Sequence, residues 1–407
     1  MPDALSPRDR VALLAMRAVN AGSRAARRGE GTVAGGRVAL RVAPDLLDHL
    51  SHARRIALVS GTNGKTTTTA CLSAALGTLG TVATNGTGSN MQPGHVAALG
   101  AARRAPFAVL ECDEVWLPST MDRERPEAVI LLNLSRDQLD RTSEVRRIAD
   151  AWREALGRFD GICVANADDP LVVHAALESA RPAWFDGGLV WGDDAVACPR
   201  CASRITYGVG GWSCACGFAR PASDASVDGD EAVVDGRRVP FKMSLPGEFN
   251  RANGLGALLA ATRMGADLVR ASAAVASLDE VAGRFSQIEV DGRDARLLLA
   301  KNPAGWSALL DLVGDEETPV VVAVNARVAD GHDPSWLYDV AFERLKGRRV
   351  VASGERWRDL STRLYYGGVD HESVEDPRRA IAAAGARGQS IEVIANYTAF
   401  ADLKAGT

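Results

Sequence analysis

The stretch Ile56-Ala57-Leu58-Val59-Ser60-Gly61-Thr62-Asn63-Gly64-Lys65-Thr66-Thr67-Thr68 decides how this chain reads. A short apolar β-type run leads into a glycine-rich turn, and the following Thr69-Ala70-Cys71-Leu72-Ser73-Ala74-Ala75-Leu76 predicts a helix. Strand, turn and helix in that order are the context a phosphate-binding loop requires. Glycine lets backbone N–H groups approach phosphate oxygens, and the helix N-terminus favours the anion. In this reading Gly61, Thr62, Asn63, Gly64, Lys65, Thr66 and Thr67 bind ATP. Lys65 lies along the β- and γ-phosphates and the Thr66 hydroxyl ligates Mg2+. The loop is shorter than the general pattern, because Gly61 stands three residues before Gly64.

Outward from the loop, apolar runs at 107–110, 128–132 and 161–165 alternate with helical stretches. They predict buried parallel strands in a doubly wound α/β domain that binds ligands at the carboxyl ends of its strands. Glu111 ends one such strand and opens Glu111-Cys112-Asp113-Glu114. A carboxylate there suits Mg2+, which takes one or two carboxylates besides phosphate oxygens. Glu111 is the named magnesium ligand, with Asp113 and Glu114 open as alternatives. Polar segments 133–141 and 166–170 follow the next two strands and face the same end of the sheet.

Residues 186–240 break the rhythm with Gly, Asp and Cys. Cys198-Pro199-Arg200-Cys201 and Cys214-Ala215-Cys216 predict a four-cysteine zinc ribbon, inserted at about 190–222, whose closed ligand set makes the metal structural. The α/β pattern resumes with a helix at 250–264, and past residue 284 a second unit has strand candidates at 320–324, 349–352 and 391–394. The expected organisation is a helical segment 1–53, an ATP-binding domain 54–283 and a smaller C-terminal α/β domain 284–407. In the first segment a helix over 8–28 places Val11, Leu14, Ala15 and Val19 on one face and Arg24, Arg27 and Arg28 at its end. That helix either packs on the body of the protein or faces anionic lipid. Gly29-Glu30-Gly31 and Gly35-Gly36 predict a flexible connector behind it.

Composition sets the bounds. A length of 407 residues suggests two or three domains, and 46% hydrophobic residues suffice for ordinary cores. With a net charge of −4, nothing marks the whole chain as a polyanion binder. No apolar run is long enough to cross a bilayer and no signal peptide is evident, so the cytoplasm is expected, with a peripheral position at the inner membrane face as the alternative. Seven cysteines, four of them in two pairs, favour a reducing compartment with a metal site. The other three (Cys71, Cys112, Cys163) and six scattered histidines offer no nucleophilic triad.

These residues resemble a known family. Gly61–Thr67 is similar to the ATP loop of Mur ligases. Residues 245–253, with Gly247, Asn250 and Asn253, resemble that family's Gly-x-x-Asn-x-x-Asn element, whose last Asn approaches the adenine. Asn133-Leu134-Ser135-Arg136-Asp137-Gln138-Leu139-Asp140-Arg141 resembles a further element, with Gln138 in place of a His. The 110–114 run, the four-cysteine insertion, Lys301-Asn302-Pro303 and the 329–336 segment narrow the resemblance to the MurT group of that family. The resemblance implies the ligase subunit of a lipid II isoglutaminyl synthase. Mg·ATP would activate the α-carboxylate of D-glutamate in the stem peptide of lipid II as an acyl phosphate, and ammonia would convert it to D-isoglutamine. The ammonia would come from glutamine through a glutaminase partner, GatD, in a heterodimer. It further implies that Asp330 completes the partner's Cys-His pair, with Asp333 as the alternative. Ala326-Arg327 stands where the group usually carries Asp-Asn.

Two rivals differ in class. A Mur-type or folylpolyglutamate-type amino-acid ligase acting alone would need a third domain with its own substrate pocket. A nucleic-acid-binding ATPase would read through the ribbon, which carries Arg200, Arg204, Trp212, Phe218 and Arg220. The acidic continuation at Asp224, Asp228, Asp230 and Glu231 opposes nucleic acid as a partner.

Overall fold

The computed structural model describes residues 5–25, 32–52, 54–85, 89–136, 145–186, 194–278 and 285–406. Arg27, Arg28, the 29–31 connector, residues 137–141 with Gln138, residues 190–193 of the expected insertion and the expected boundary at 283/284 lie outside the described residues. The chain forms two compact units. One comprises residues 1–134 with 145–279, the other residues 135–144 with 280–407.

The first unit opens with helices α1 (Pro7–Ala25), α2 (Thr32–Val42) and α3 (Leu46–Ser51). There follow β1 (Arg55–Ser60), α4 (Lys65–Gly77), β2 (Val82–Thr84), α5 (Gln92–Ala101), β3 (Phe107–Cys112), α6 (Leu117–Glu124), β4 (Ala128–Leu131), α7 (Val145–Leu156), β5 (Ile162–Asn166), α8 (Pro170–Ala176) and β6 (Pro182–Phe185). A separate two-stranded ribbon, β7 (Thr206–Gly208) and β8 (Gly211–Ser213), precedes β9 (Ala225–Asp228), β10 (Glu231–Val234) and β11 (Arg237–Pro240). Helices α9 (Glu248–Arg263) and α10 (Leu268–Ala276) close the unit.

Among the described residues the main sheet has nine strands in the order β11-β10-β9-β6-β5-β4-β1-β3-β2. The pairings from β6 to β2 are parallel, as the apolar runs predict. The insertion is only partly a ribbon, because β9 to β11 form an antiparallel meander that extends the main sheet. Strand β1 lies between β3 and β4, so the chain leaves its neighbourhood in opposite directions, which is the point where such sheets bind ligands. Its residues alternate between two cores. Ile56 and Leu58 join Ala12, Leu13, Leu46 and Leu47, whereas Ala57 and Val59 join Leu72, Leu76, Leu255 and Leu258. Burial on both faces is why the strand reads as a continuous apolar run.

Two expectations for the N-terminal segment are corrected. Helix α1 buries Ala12, Leu13 and Met16, while Val11 and Leu14 are 57% and 63% exposed. Gly35 and Gly36 lie buried inside α2 and form no connector. A Cβ at Gly36 would stand 2.0 Å from the Pro93 carbonyl oxygen of α5. A Cβ at Gly35 would stand 2.9 Å from the Met16 carbonyl oxygen of α1, so the missing side chains let α2 approach both α5 and the Met16 side of α1.

The second unit contains β12 (Phe285–Val290), β13 (Arg293–Leu299), α11 (Pro303–Leu310), β14 (Val320–Ala323), β15 (Val350–Ser353), α12 (Trp357–Tyr366), β16 (His371–Ser373), α13 (Pro377–Ala384), β17 (Ser390–Ala395) and α14 (Tyr397–Ala405). Among the described residues its sheet has six strands in the order β12-β13-β17-β14-β15-β16, parallel except for the β12–β13 hairpin. The three expected strands are present as β14, β15 and β17. No described helix is long and apolar enough to cross a membrane.

Candidate active site and metal centre

The loop after β1 adopts the geometry its glycines permit. Gly61 and Gly64 have φ of 146° and 88°, values that side chains disfavour. Gly64 is the N-cap of α4 and makes no side-chain capping bond, so the first turn of that helix is presented by backbone alone. Asn133, at the exit of the neighbouring strand β4, clamps the loop. The Asn63 N–H donates to Asn133 Oδ1 at 2.9 Å, Asn133 Nδ2 donates to the Asn63 carbonyl at 3.0 Å, and the Thr62 N–H donates to the Asn133 carbonyl at 2.9 Å.

Charged groups converge on this turn. Lys65 Nζ donates to the Gly61 carbonyl, to the Thr62 carbonyl at 3.2 Å and to Glu114 Oε2 at 3.1 Å. Thr66 Oγ1 donates to Glu111 Oε2 at 3.3 Å, and Glu111 is buried. A hydroxyl and a carboxylate side by side are hard oxygen donors of the type Mg2+ takes. The three carboxylates of 111–114 are thus separated by geometry. Glu111 meets Thr66 and Glu114 meets Lys65, while Asp113 Oδ1 accepts from the Val115 N–H at 3.1 Å in a local turn. Asn253, on the first turns of α9, stands at the loop itself. A Cβ on Gly64 would come within 2.4 Å of its Oδ1. Thr67, in the first turn of α4, is buried.

Sequence reasoning missed the groups behind Glu111. Asn85 Oδ1 accepts from the Glu111 N–H at 2.7 Å and Asn85 Nδ2 donates to the Glu111 carbonyl at 3.0 Å. His95 Nε2 donates to that same carbonyl at 2.7 Å, and its Nδ1 lies 2.6 Å from Glu124 Oε1. Burial alone would lower the His95 pKa, but Glu124 and the Glu111 carbonyl outweigh it and raise it. These partners lie 16 to 29 positions apart in the chain, and no local pattern announces them.

The four cysteines of the insertion do converge. Their sulfurs lie within 4.8 Å of one another, with Cys198–Cys216 at 3.7 Å and Cys201–Cys214 at 3.5 Å. A tetrahedral zinc with Zn–S of about 2.3 Å needs sulfurs about 3.8 Å apart, so Cys198, Cys201, Cys214 and Cys216 fit that ion. Hydrogen bonds from Ser203 lower the pKa of the Cys201 thiol, whereas at Cys214 a Cys216 backbone hydrogen bond is outweighed by burial and the neighbouring thiols, which raise it, as expected where sulfurs are crowded together. The other three cysteines are buried, and burial pushes Cys71 and Cys163 up to about 12 and Cys112 higher still.

In the second unit Asp330 sits on the turn after β14. Its Oδ1 accepts from the Thr398 N–H at 2.9 Å, and its Oδ2 accepts from the Thr398 hydroxyl and from the Arg327 N–H at 3.2 Å. Asp333 is exposed, and its Oδ1 accepts from the Ser335 N–H at 2.8 Å. Arg327 reaches both Glu355 and Asp402 at 2.8 Å and so ties the Asp330 turn to α14.

The Mur ligase middle domain matches residues 59–186, and the MurT ligase C-terminal domain matches residues 299–400. Together they take in more than half of the chain. A lipid II isoglutaminyl synthase (glutamine-hydrolyzing) subunit MurT from Staphylococcus aureus is 27% identical, over 92% of each chain. The chain belongs to the MurT group of Mur ligases. The MurT subunit of Streptococcus pneumoniae is 28% identical over 86% of this chain and 85% of its own. The fold is shared with a pseudomurein peptide ligase type C from Methanothermus fervidus, at a TM-score of 0.68 and 18% identity over 84% of this chain and 76% of that one. It is shared too with the Mycobacterium tuberculosis folylpolyglutamate synthase complexed with ADP, at a TM-score of 0.60 and 17% identity over 89% and 92%.

Proposed function

We propose that this MurT-type chain is the ATP-using subunit of a lipid II isoglutaminyl synthase. It would amidate the α-carboxylate of D-glutamate in the stem peptide through an acyl phosphate. One observation carries the reading: a Mur-type phosphate loop and a MurT-type C-terminal region stand in a single chain, whose described residues include no reactive cysteine outside the four-thiol cluster. All seven cysteines lie either in the metal cluster or in the core. Gly61 to Thr67 would cradle the triphosphate, with Lys65 exchanging its partner Glu114 for phosphate oxygens, and Asn253 would bound the nucleotide. Thr66 and Glu111 would hold Mg2+, which supplies charge neutralisation at the transferring group. The four cysteines would hold a structural Zn2+.

Ammonia would come from glutamine through a glutaminase subunit of the GatD type. Asp330 is the better candidate to complete that partner's Cys-His pair, because Thr398 and the Arg327 amide hold it in one orientation whereas Asp333 is engaged only locally. Residues 54–283 would then be the ATP-binding domain and 284–407 the partner-facing one. A peripheral position at the inner membrane face fits Arg10, Arg17 and Arg24, spaced by seven along α1 beside exposed Val11 and Leu14.

The test is amidation of lipid II by the purified chain with Mg·ATP. Ammonium should support weak isoglutamine formation and glutamine none, until a glutaminase subunit is added. Release of ammonia from glutamine by the chain alone would end this division of labour.

A further inference from the structure

The ribbon does not hang free of the sheet. Trp212 of β8 stands two residues before Cys214 and packs on Phe218 with ring centroids 4.8 Å apart, and Arg200 lies 4.6 Å over the Phe218 ring. The Cys214 N–H donates to the Phe218 carbonyl at 2.7 Å, and the Arg220 N–H donates to the Trp212 carbonyl at 3.0 Å. Trp212 and Arg220 therefore take their places from the same short hairpin that arranges the thiols.

Both residues reach out of the ribbon to one turn of the main sheet. Trp212 Nε1 donates to the Ala167 carbonyl at 3.0 Å. Arg220 Nε donates to Asp168 Oδ1 at 2.7 Å, and its Nη2 stands 3.0 Å from Asp186. Asp168 is 4% exposed, so its carboxylate depends on that guanidinium. The next residue, Asp169, caps α8 through Oδ1 and accepts from the Leu134 N–H at 2.7 Å through Oδ2. Leu134 follows Asn133, the residue that clamps Thr62 and Asn63. Hydrogen bonds joined by chain steps of one or two residues thus lead from the thiol cluster through 167–169 and 133–134 to the phosphate loop.

We infer that Trp212 and Arg220 are positioning residues for the phosphate loop, linking the metal ribbon to Asn133 through the 167–169 turn. A ribbon serving only its own stability has no need of a buried guanidinium–carboxylate pair directed at the strand exit beside the nucleotide turn. Loss of the metal then loosens the loop, and nucleotide affinity follows metal occupancy. The inference rests on the reading of 61–66 as a nucleotide site.

The experiment measures the Kd of Mg·AMP-PNP for the full chain, with metal content determined on the same samples. Trp212→Phe keeps the ring and removes its donor, and Arg220→Met keeps the stem and removes the charge. Each should retain the metal and weaken binding roughly five- to tenfold, the scale of one lost hydrogen-bonded link. Arg220→Lys should restore part of the affinity. Hydrogen exchange on the unsubstituted chain supplies the second readout, since removing zinc with a chelator should speed exchange at the Thr62 and Asn63 amides. Unchanged Kd in metal-replete variants, or unchanged exchange after chelation, overturns the link and leaves the nucleotide reading standing. Failure of the unsubstituted chain to bind the nucleotide, matching a Lys65→Ala control, overturns both.

Discussion

The two sheets end in the same clamp and use it differently. Asn63 and Asn133 follow the parallel neighbours β1 and β4, and Asn325 and Asn396 follow the parallel neighbours β14 and β17. In each pair one asparagine accepts from the other's backbone N–H and donates to its carbonyl, at 2.9 and 3.0 Å in the first unit and 3.1 and 2.7 Å in the second. The residues beyond each clamp set the chemistry. In the first unit, Gly64 presents the first turn of α4 with no side-chain cap, flanked by Lys65 and Glu111. In the second, the first turn of α14 is filled by the chain's own anion, because Asp330 accepts from the Thr398 N–H. A helix N-terminus attracts negative charge in either case. In the proposed reading one sheet would offer it to a phosphate, whereas the other uses it to fix a carboxylate.

The contrast breaks most readily at the first helix. Lys65→Ala should lower ATP-dependent amidation at least about 100-fold, with ammonium or glutamine alike, as loss of a charge aimed at the transferring phosphoryl group does. ADP release coupled to product formation reads this directly. Asp330→Asn should act on one nitrogen source only. With the glutaminase subunit present, glutamine-driven amidation should fall by roughly 10³-fold, the scale of losing a group that orients a catalytic imidazole, while ammonium-driven amidation persists. Equal losses from both sources would show that Asp330 serves the fold or the ATP step instead.

The local half of this contrast was legible in the sequence. Val59 to Thr68 announces strand, turn and helix within one short window, and the two cysteine pairs announce a four-thiol cluster. The clamps were not legible, because Asn63 and Asn133 lie 70 positions apart and Asn325 and Asn396 lie 71 apart. The buried face of α1 is not the one its spacing suggests, because Gly35 of α2 lets the Met16 side of α1 approach closest. The β10–β11 and β12–β13 hairpins did carry a usable signal. Asp235-Gly236 and Asp291-Gly292 each join strands by two residues with positive φ, the turn that Asp-Gly favours. The part Arg327 plays is visible only in three dimensions, where its side chain binds Glu355 and Asp402 and its backbone N–H donates to Asp330.

Removing each clamp separates structure from function. Asn133→Ala and Asn396→Ala each strip a neighbouring backbone of a donor and an acceptor, so each should lower unfolding free energy by about 1–3 kcal/mol in denaturant titrations. Only Asn133→Ala should also weaken binding of Mg·AMP-PNP, because only its clamp holds the turn proposed to bind the nucleotide. Nucleotide affinity lost equally in Asn396→Ala would mean that the two units are not divided in this way.

The smallest effect sharpens the comparison furthest. Thr398 Oγ1 donates to Asp330 and accepts from Asn325 Nδ2 at 3.1 Å, joining the second clamp to its carboxylate. Thr398→Val keeps the shape and the backbone donor but removes the hydroxyl, at a cost of about 1 kcal/mol. Asp330 then keeps its anchor on the helix N-terminus and loses only its fine orientation. Glutamine-driven amidation should fall roughly threefold to fivefold, ammonium-driven amidation should not change, and the split between the two rates is the readout. If glutamine-driven turnover is untouched while Asp330→Asn abolishes it, the backbone amide of α14 alone orients the carboxylate, and the helix N-terminus is the whole device.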